Sequence, residues 1–79
     1  MARVRLHEVV ARALRLPAAS ISDDSSPENL RRWDSLRHLE LMTEIEEAYS
    51  VGFSTADMVR AKSVGLIRGL LREKGIDVD

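Results

Sequence analysis

The sequence predicts an all-α fold, a small helical bundle of three main helices plus one short helix. Apolar residues recur with helical spacing in three stretches: Leu6, Val9, Val10, Ala13 and Leu14; Leu39, Met42, Ile45 and Tyr49; Val64, Ile67, Leu70 and Leu71. No segment alternates apolar and polar residues as a half-buried strand does. Helix-breaking residues separate the stretches, with Pro17 after the first, Gly52 after the second and Gly75 after the third.

The first helix is predicted over residues 2–15. Its outer side carries Arg5, Glu8, Arg12 and Arg15, a solvated stripe that can pair internally. His7 flanks the apolar face and reads as a packing residue. Pro17 is expected to end the helix. Residues 17–34 form a long polar connection with Ile21 and Leu30 as its anchors into the core. Ser26-Pro27-Glu28 has the form of a cap followed by proline at a first helical position, which predicts one helical turn. Asp23, Asp24 and Glu28 lack the ordered ligands and the glycine of a calcium loop.

In the second helix Leu39, Met42, Ile45 and Tyr49 are expected to face the core, with Leu41 and Ala48 widening that face. A neighbouring stripe of Leu36, Glu40, Thr43 and Glu47, flanked by Arg37 and Glu44, is expected to face solvent. Glu46 and Glu47 sit near the helix C-terminus, where anions are disfavoured, so helix stability does not account for them. Ser50-Val51-Gly52-Phe53 then turns the chain and returns Phe53 to the core. Ser54-Thr55-Ala56-Asp57 resembles a capping box opening a short third helix that holds Met58 and Val59. The last helix begins at Ser63 and ends near Lys74, before Gly75. Gly65 and Gly69 are placed on its outer side, and the sequence offers no reason for either. Residues 76–79 are expected to fray.

Composition bounds the function. The 79 residues are expected to make one domain, residues 1–79, with a core so small that each long helix must bury a face. No apolar run approaches a membrane span and no secretory leader is visible, so a cytoplasmic monomer is expected. With no cysteine, disulfides, zinc knuckles and cysteine nucleophiles are excluded. The net charge of −1 gives no general basis for nucleic-acid binding. Charge is nevertheless segregated. Residues 1–16 carry four arginines against Glu8, and residues 37–50 carry four glutamates against Arg37.

Trp33-Asp34-Ser35-Leu36 stands where the polar connection meets the second helix. The first turn of a helix has amides without intrahelical acceptors and roughly half a positive charge from the macrodipole. Asp34 there is a natural N-cap, and Ser35 takes the exposed first helical position, where a phosphodiester is well tolerated. Two readings stay open on these residues: a plain helix cap, or a phosphate attachment point. Trp33 is expected to cover the end of the bundle near Ser35; its other possible role is contact with bound cargo or a partner.

With Leu39, Glu40, Leu41, Ile45, Glu46, Glu47 and the aromatic Tyr49 following Asp34-Ser35-Leu36, the segment resembles the second helix of acyl and peptidyl carrier proteins. The resemblance covers most of the chain, best from Pro27 through Leu71. It implies three principal helices with a short one before the last. It also implies that the Ser35 hydroxyl receives 4′-phosphopantetheine from coenzyme A. A phosphopantetheinyl transferase would install the group, and other enzymes would load and accept an acyl or aminoacyl cargo as a thioester. Asp34 would support Ser35 and contact the transferase, and Leu36, Arg37, Glu40, Thr43, Glu44 and Glu47 would form the partner-facing surface. Such a protein is a carrier and not an enzyme. Trp33, Arg37 and Thr43 depart from the pattern of fatty-acid carriers and favour a discrete carrier of polyketide, nonribosomal peptide or related biosynthesis.

Two other classes compete. One is an unmodified interaction module that binds a basic partner through the acidic face of the second helix. The other is a small catalyst built on His7, His38 and a carboxylate; His38 follows Ser35 by one helical turn, but no oxyanion hole or orienting third group is visible. Two distant histidines give little basis for a metal site.

Overall fold

Each long amphipathic stretch folds as a helix because a chain this short can bury a core only by turning every apolar stripe inward. The computed structural model describes residues 5–78. Its helices are α1 (Leu6–Leu14), α2 (Ser35–Tyr49), α3 (Thr55–Arg60) and α4 (Val64–Glu73), with a 3-10 turn at Ala18–Ser20 between α1 and α2. No strand occurs among the described residues. The first helix was expected over residues 2–15, but Arg5 is extended (φ −93°, ψ 135°) and α1 starts at Leu6; residues 2–4 of that expectation lie outside the described residues.

The core is shared by α1 (Leu6, Val9, Val10, Ala11 and Leu14), α2 (Leu41, Met42 and Ile45) and α4 (Val64, Ile67, Leu70 and Leu71). The connections add Ile21, Trp33, Phe53, Ala61 and Val78. Leu30 packs partly buried against this core, as its role of anchor requires. α3 contributes no fully buried residue. Met58 packs partly buried against the core, and polar ties add to it: Arg60 reaches Glu73 at 2.9 Å, Lys74 reaches Asp57 at 3.0 Å, and the Met58 carbonyl accepts from His38 at 2.9 Å.

Caps set the helix starts. The Asp34 carboxylate accepts from the Arg37 amide, the Ser63 hydroxyl accepts from the Leu66 amide, and Ser54 with Asp57 forms the reciprocal capping box. The ends differ from expectation at α1. Before Pro17 is reached, Arg15 turns left-handed (φ 59°), and its amide and that of Leu16 close onto carbonyls of the last turn. Pro17 instead opens the 3-10 turn, which delivers Ile21 into the core. Ser26 starts the expected turn, its carbonyl accepting from the Asn29 and Leu30 amides.

Three further expectations are corrected. Leu39 is 56% exposed instead of buried. Leu41, Met42 and Ile45 set the centre of the buried face, and at 100° per residue Leu39 lies 160° from Leu41. His38, half-buried, takes the inward position in its place. Gly65 is not an outward residue without a role. Its amide donates to the Asp23 carbonyl at 2.9 Å, and a Cβ there would stand 3.3 Å from that same oxygen. Gly69 has nothing within 4 Å of a Cβ. Finally, Gly75 (φ 83°) ends α4 and turns the chain back, so that Val78 is buried and its carbonyl meets the Arg68 guanidinium. Residues 76–78 thus pack instead of fraying; Asp79 lies outside the described residues.

Candidate functional site: the start of α2

The approach to Ser35 is fixed by a buried aromatic. Trp33 is 1% exposed, and its amide bonds the Leu30 carbonyl. Its indole Nε1 donates to Nδ1 of His38 at 2.9 Å, with the two rings stacked 5.9 Å apart. Nε2 of His38 then donates to the Met58 carbonyl at 2.9 Å. An indole N–H can only donate and a carbonyl can only accept, so this partner set requires the tautomer protonated on Nε2. One imidazole thereby joins the loop before Ser35, the first turn of α2 and the short α3. Trp33 covers the end of the bundle as its aromatic bulk suggested. The hydrogen bond to His38 was not foreseen; the five-residue spacing across a helix start was its only signal in the sequence.

Against that fixed base, Ser35 is exposed and is the first residue of α2. Asp34 caps the helix through Oδ1 on the Arg37 amide at 2.8 Å, and its carbonyl takes the His38 amide at 2.9 Å. The amides of Ser35 and Leu36 are first-turn donors with no intrahelical acceptor, next to the positive end of the macrodipole. A hydroxyl so placed can carry a phosphodiester without burying charge. Neither nitrogen of His38 is directed to the Ser35 hydroxyl, because both are engaged elsewhere.

The surroundings are less acidic than the sequence suggests. Arg37 pairs with Glu40 at 3.0 Å. Glu46 turns inward to accept from the Phe53 amide at 2.8 Å, which accounts for an anion at the wrong end of the helix dipole. Thr43 returns its hydroxyl to the Leu39 carbonyl at 2.9 Å. Glu47 is exposed and Glu44 half-exposed. Leu36, Leu39 and Val59 are large apolar side chains left more than half exposed. The expected partner-facing residues Leu36, Arg37, Glu40, Thr43, Glu44 and Glu47 thus lie along the outward side of α2 from Ser35 onward.

His7, expected to pack, instead donates to the Asp23 carboxylate at 2.9 Å, and Arg68 donates to the same oxygen at 3.0 Å. The His7 hydrogen bond and then the Arg68 contact hold the Asp23 carboxyl below the usual carboxylate range. This clamp ties α1, the connection and α4 together. Asp23 was weighed above as part of a calcium loop; here the carboxylate is occupied by its two cationic or donor partners.

Compared with known protein families, residues 4–71 match the family described as phosphopantetheine attachment site. The chain belongs to that family. It is the family of acyl and peptidyl carrier proteins, whose members carry 4′-phosphopantetheine. A comparison with curated proteins gives no match. For a phosphopantetheine carrier the geometry at the start of α2 is chemically apt. It has an exposed hydroxyl, unpartnered first-turn amides and a base fixed by Trp33 and His38. Among the described residues no helix is long and apolar enough to cross a membrane.

Proposed function

We propose that the chain is a single-domain carrier whose Ser35 hydroxyl bears the 4′-phosphopantetheine arm, and that it works as a shuttle and not as an enzyme. The observation that carries this reading is the exposure of Ser35 as the first residue of α2, directly after the Asp34 cap and the buried Trp33. The arm, when attached, supplies a thiol that holds an acyl or aminoacyl group as a thioester. Since the chain has no cysteine, that thiol has no competitor within it.

The helical body positions the arm. Trp33 and His38 fix the backbone before the attachment point, and the first-turn amides would be available to the phosphate oxygens of the arm. Tethering raises the effective concentration of cargo at each enzyme that docks, which a diffusing thioester would not achieve. Leu36, Arg37, Glu40, Thr43, Glu44 and Glu47 form the docking surface, and Asp34 contacts the transferase. Trp33, Arg37 and Thr43 favour a specialised pathway, polyketide or nonribosomal peptide, over fatty-acid synthesis. Such a carrier works in the cytoplasm, as a monomer.

The test is intact-mass spectrometry after incubation with coenzyme A, magnesium and a broad-specificity phosphopantetheinyl transferase. The parent chain gains one phosphopantetheine and Ser35→Ala gains none. A folded parent that gains nothing from an active transferase points to the unmodified interaction module, in which Asp34 and Ser35 only start a helix.

A further inference from the structure

The exposure of Leu39 is not explained by the arm. A leucine on a 79-residue chain gains from burial, yet Leu39 stands 56% exposed where α2 faces α1. It lines an open groove with Arg12 of α1 and Arg15, which caps that helix, on one wall and Arg37, Glu40, Thr43 and Glu44 of α2 on the other. The charges in this groove are uneven. Arg37 is paired with Glu40. Arg12 and Arg15 are exposed, and among the described residues neither has a carboxylate partner. The guanidinium of Arg32 donates to the Arg15 carbonyl at 3.3 Å, which brings a third arginine to the same end. Glu44 stands in the opposite wall, without an arginine partner of its own among the described residues.

We infer that this groove is a docking site for a partner protein that presents an acidic, amphipathic segment. An apolar side chain of the partner covers Leu39, and its carboxylates meet Arg12 and Arg15. Charge complementarity selects this occupant. A basic segment would place like charges against Arg12 and Arg15, the two groove arginines without a carboxylate partner among the described residues, with Glu44 as the single unpaired anion opposite, and a purely apolar one would leave the guanidinium groups desolvated without partners. The same groove adds an α1 wall to the α2 surface proposed above. It inverts the sign expected there, because Glu40 is neutralised by Arg37 and Glu46 is turned inward. The inference concerns the protein surface alone and holds whether or not Ser35 is modified.

The experiment is a ¹⁵N NMR titration of the full unmodified chain with two short synthetic helical peptides, one amphipathic in Leu and Glu, the other its Leu and Lys counterpart. The acidic peptide is expected to shift amides in residues 12–15 and 37–44, more weakly as salt is raised. The double variant Arg12→Gln with Arg15→Gln, and separately Leu39→Gln, should each weaken it by about tenfold. All three positions are exposed, and circular dichroism checks that the variants stay folded. Absence of shifts with the acidic peptide, shifts elsewhere on the chain, equal binding of the Lys peptide, or full affinity in the variants would each overturn the inference. Because the titration uses unmodified protein, its result is independent of the mass-spectrometric test of Ser35.

Discussion

Trp33 and His38 are joined by a hydrogen bond of 2.9 Å from indole Nε1 to imidazole Nδ1, and the other imidazole nitrogen spends its proton on the Met58 carbonyl. Removing the imidazole orphans a buried donor and a carbonyl at once. His38→Ala is therefore expected to lower unfolding stability by about 2 kcal/mol, and Trp33→Phe, which removes only the donor, to lose less through this bond. Urea unfolding measures both. Independently, ¹⁵N spectra of His38 should show the tautomer protonated on Nε2; the other tautomer would contradict the bonding described.

Two carboxylates are expected to lend the protein stability that acid removes. Asp23 is held below the ordinary carboxylate range by its His7 hydrogen bond and by Arg68, and Asp57 by the Ser54 amide and Lys74. A depressed folded pKa means that the unfolded chain takes up protons first as pH falls. The stabilisation is complete above the unfolded value of about 3.8 and disappears as pH drops through the lower folded values. Asp23→Asn and Asp57→Asn should each be less stable than the parent at neutral pH. Each should also show a shallower loss of stability below pH 4, and denaturant midpoints measured against pH provide the check.

The two glycines of α4 should respond oppositely to alanine. At Gly69 a Cβ meets open space, so Gly69→Ala gains the helix propensity difference, up to about 1 kcal/mol. At Gly65 the Cβ would press on the Asp23 carbonyl, whose place is fixed by the Gly65 amide itself. Gly65→Ala is expected to forfeit that gain and to loosen the connection, with a lower urea midpoint than Gly69→Ala.

α2 ends on Ser50 in the left-handed region (φ 52°), a conformation that costs a side-chain-bearing residue about 1–2 kcal/mol. Glycine adopts it without that cost but has more freedom to lose on folding. Ser50→Gly is thus expected to raise stability by up to about 1 kcal/mol, visible as a higher melting temperature with the helical circular dichroism unchanged.

The helices were legible because burial imposes a stripe, and the caps at Asp34, Ser54 and Ser63 because few residue types can serve there. The start of α2 could be read as far as an exposed serine after a cap. What escaped depends on partners distant in sequence. Leucine outranks histidine for burial, yet His38 goes inward because both its nitrogens find partners, one of them in α3. Gly65 is constrained by the backbone of Asp23, and Glu46 by the amide of Phe53. No periodicity records such pairs. The left-handed turn at Arg15 escaped for another reason, since the residue type gives no hint of it.

α3 is latched from outside. It has its capping box, two ion pairs to the α4 end of the chain and one carbonyl bond to His38, with no side chain driven fully into the core. Beyond the partly buried Met58, its grip is ionic where that of its neighbours is apolar, and salt screens the one while leaving the other in place. Raising ionic strength should speed hydrogen exchange across residues 55–60 while the slowest amides of α1 and α4 keep their protection. Such an outcome would mean that one side of the protein, beside Ser35, opens without global unfolding.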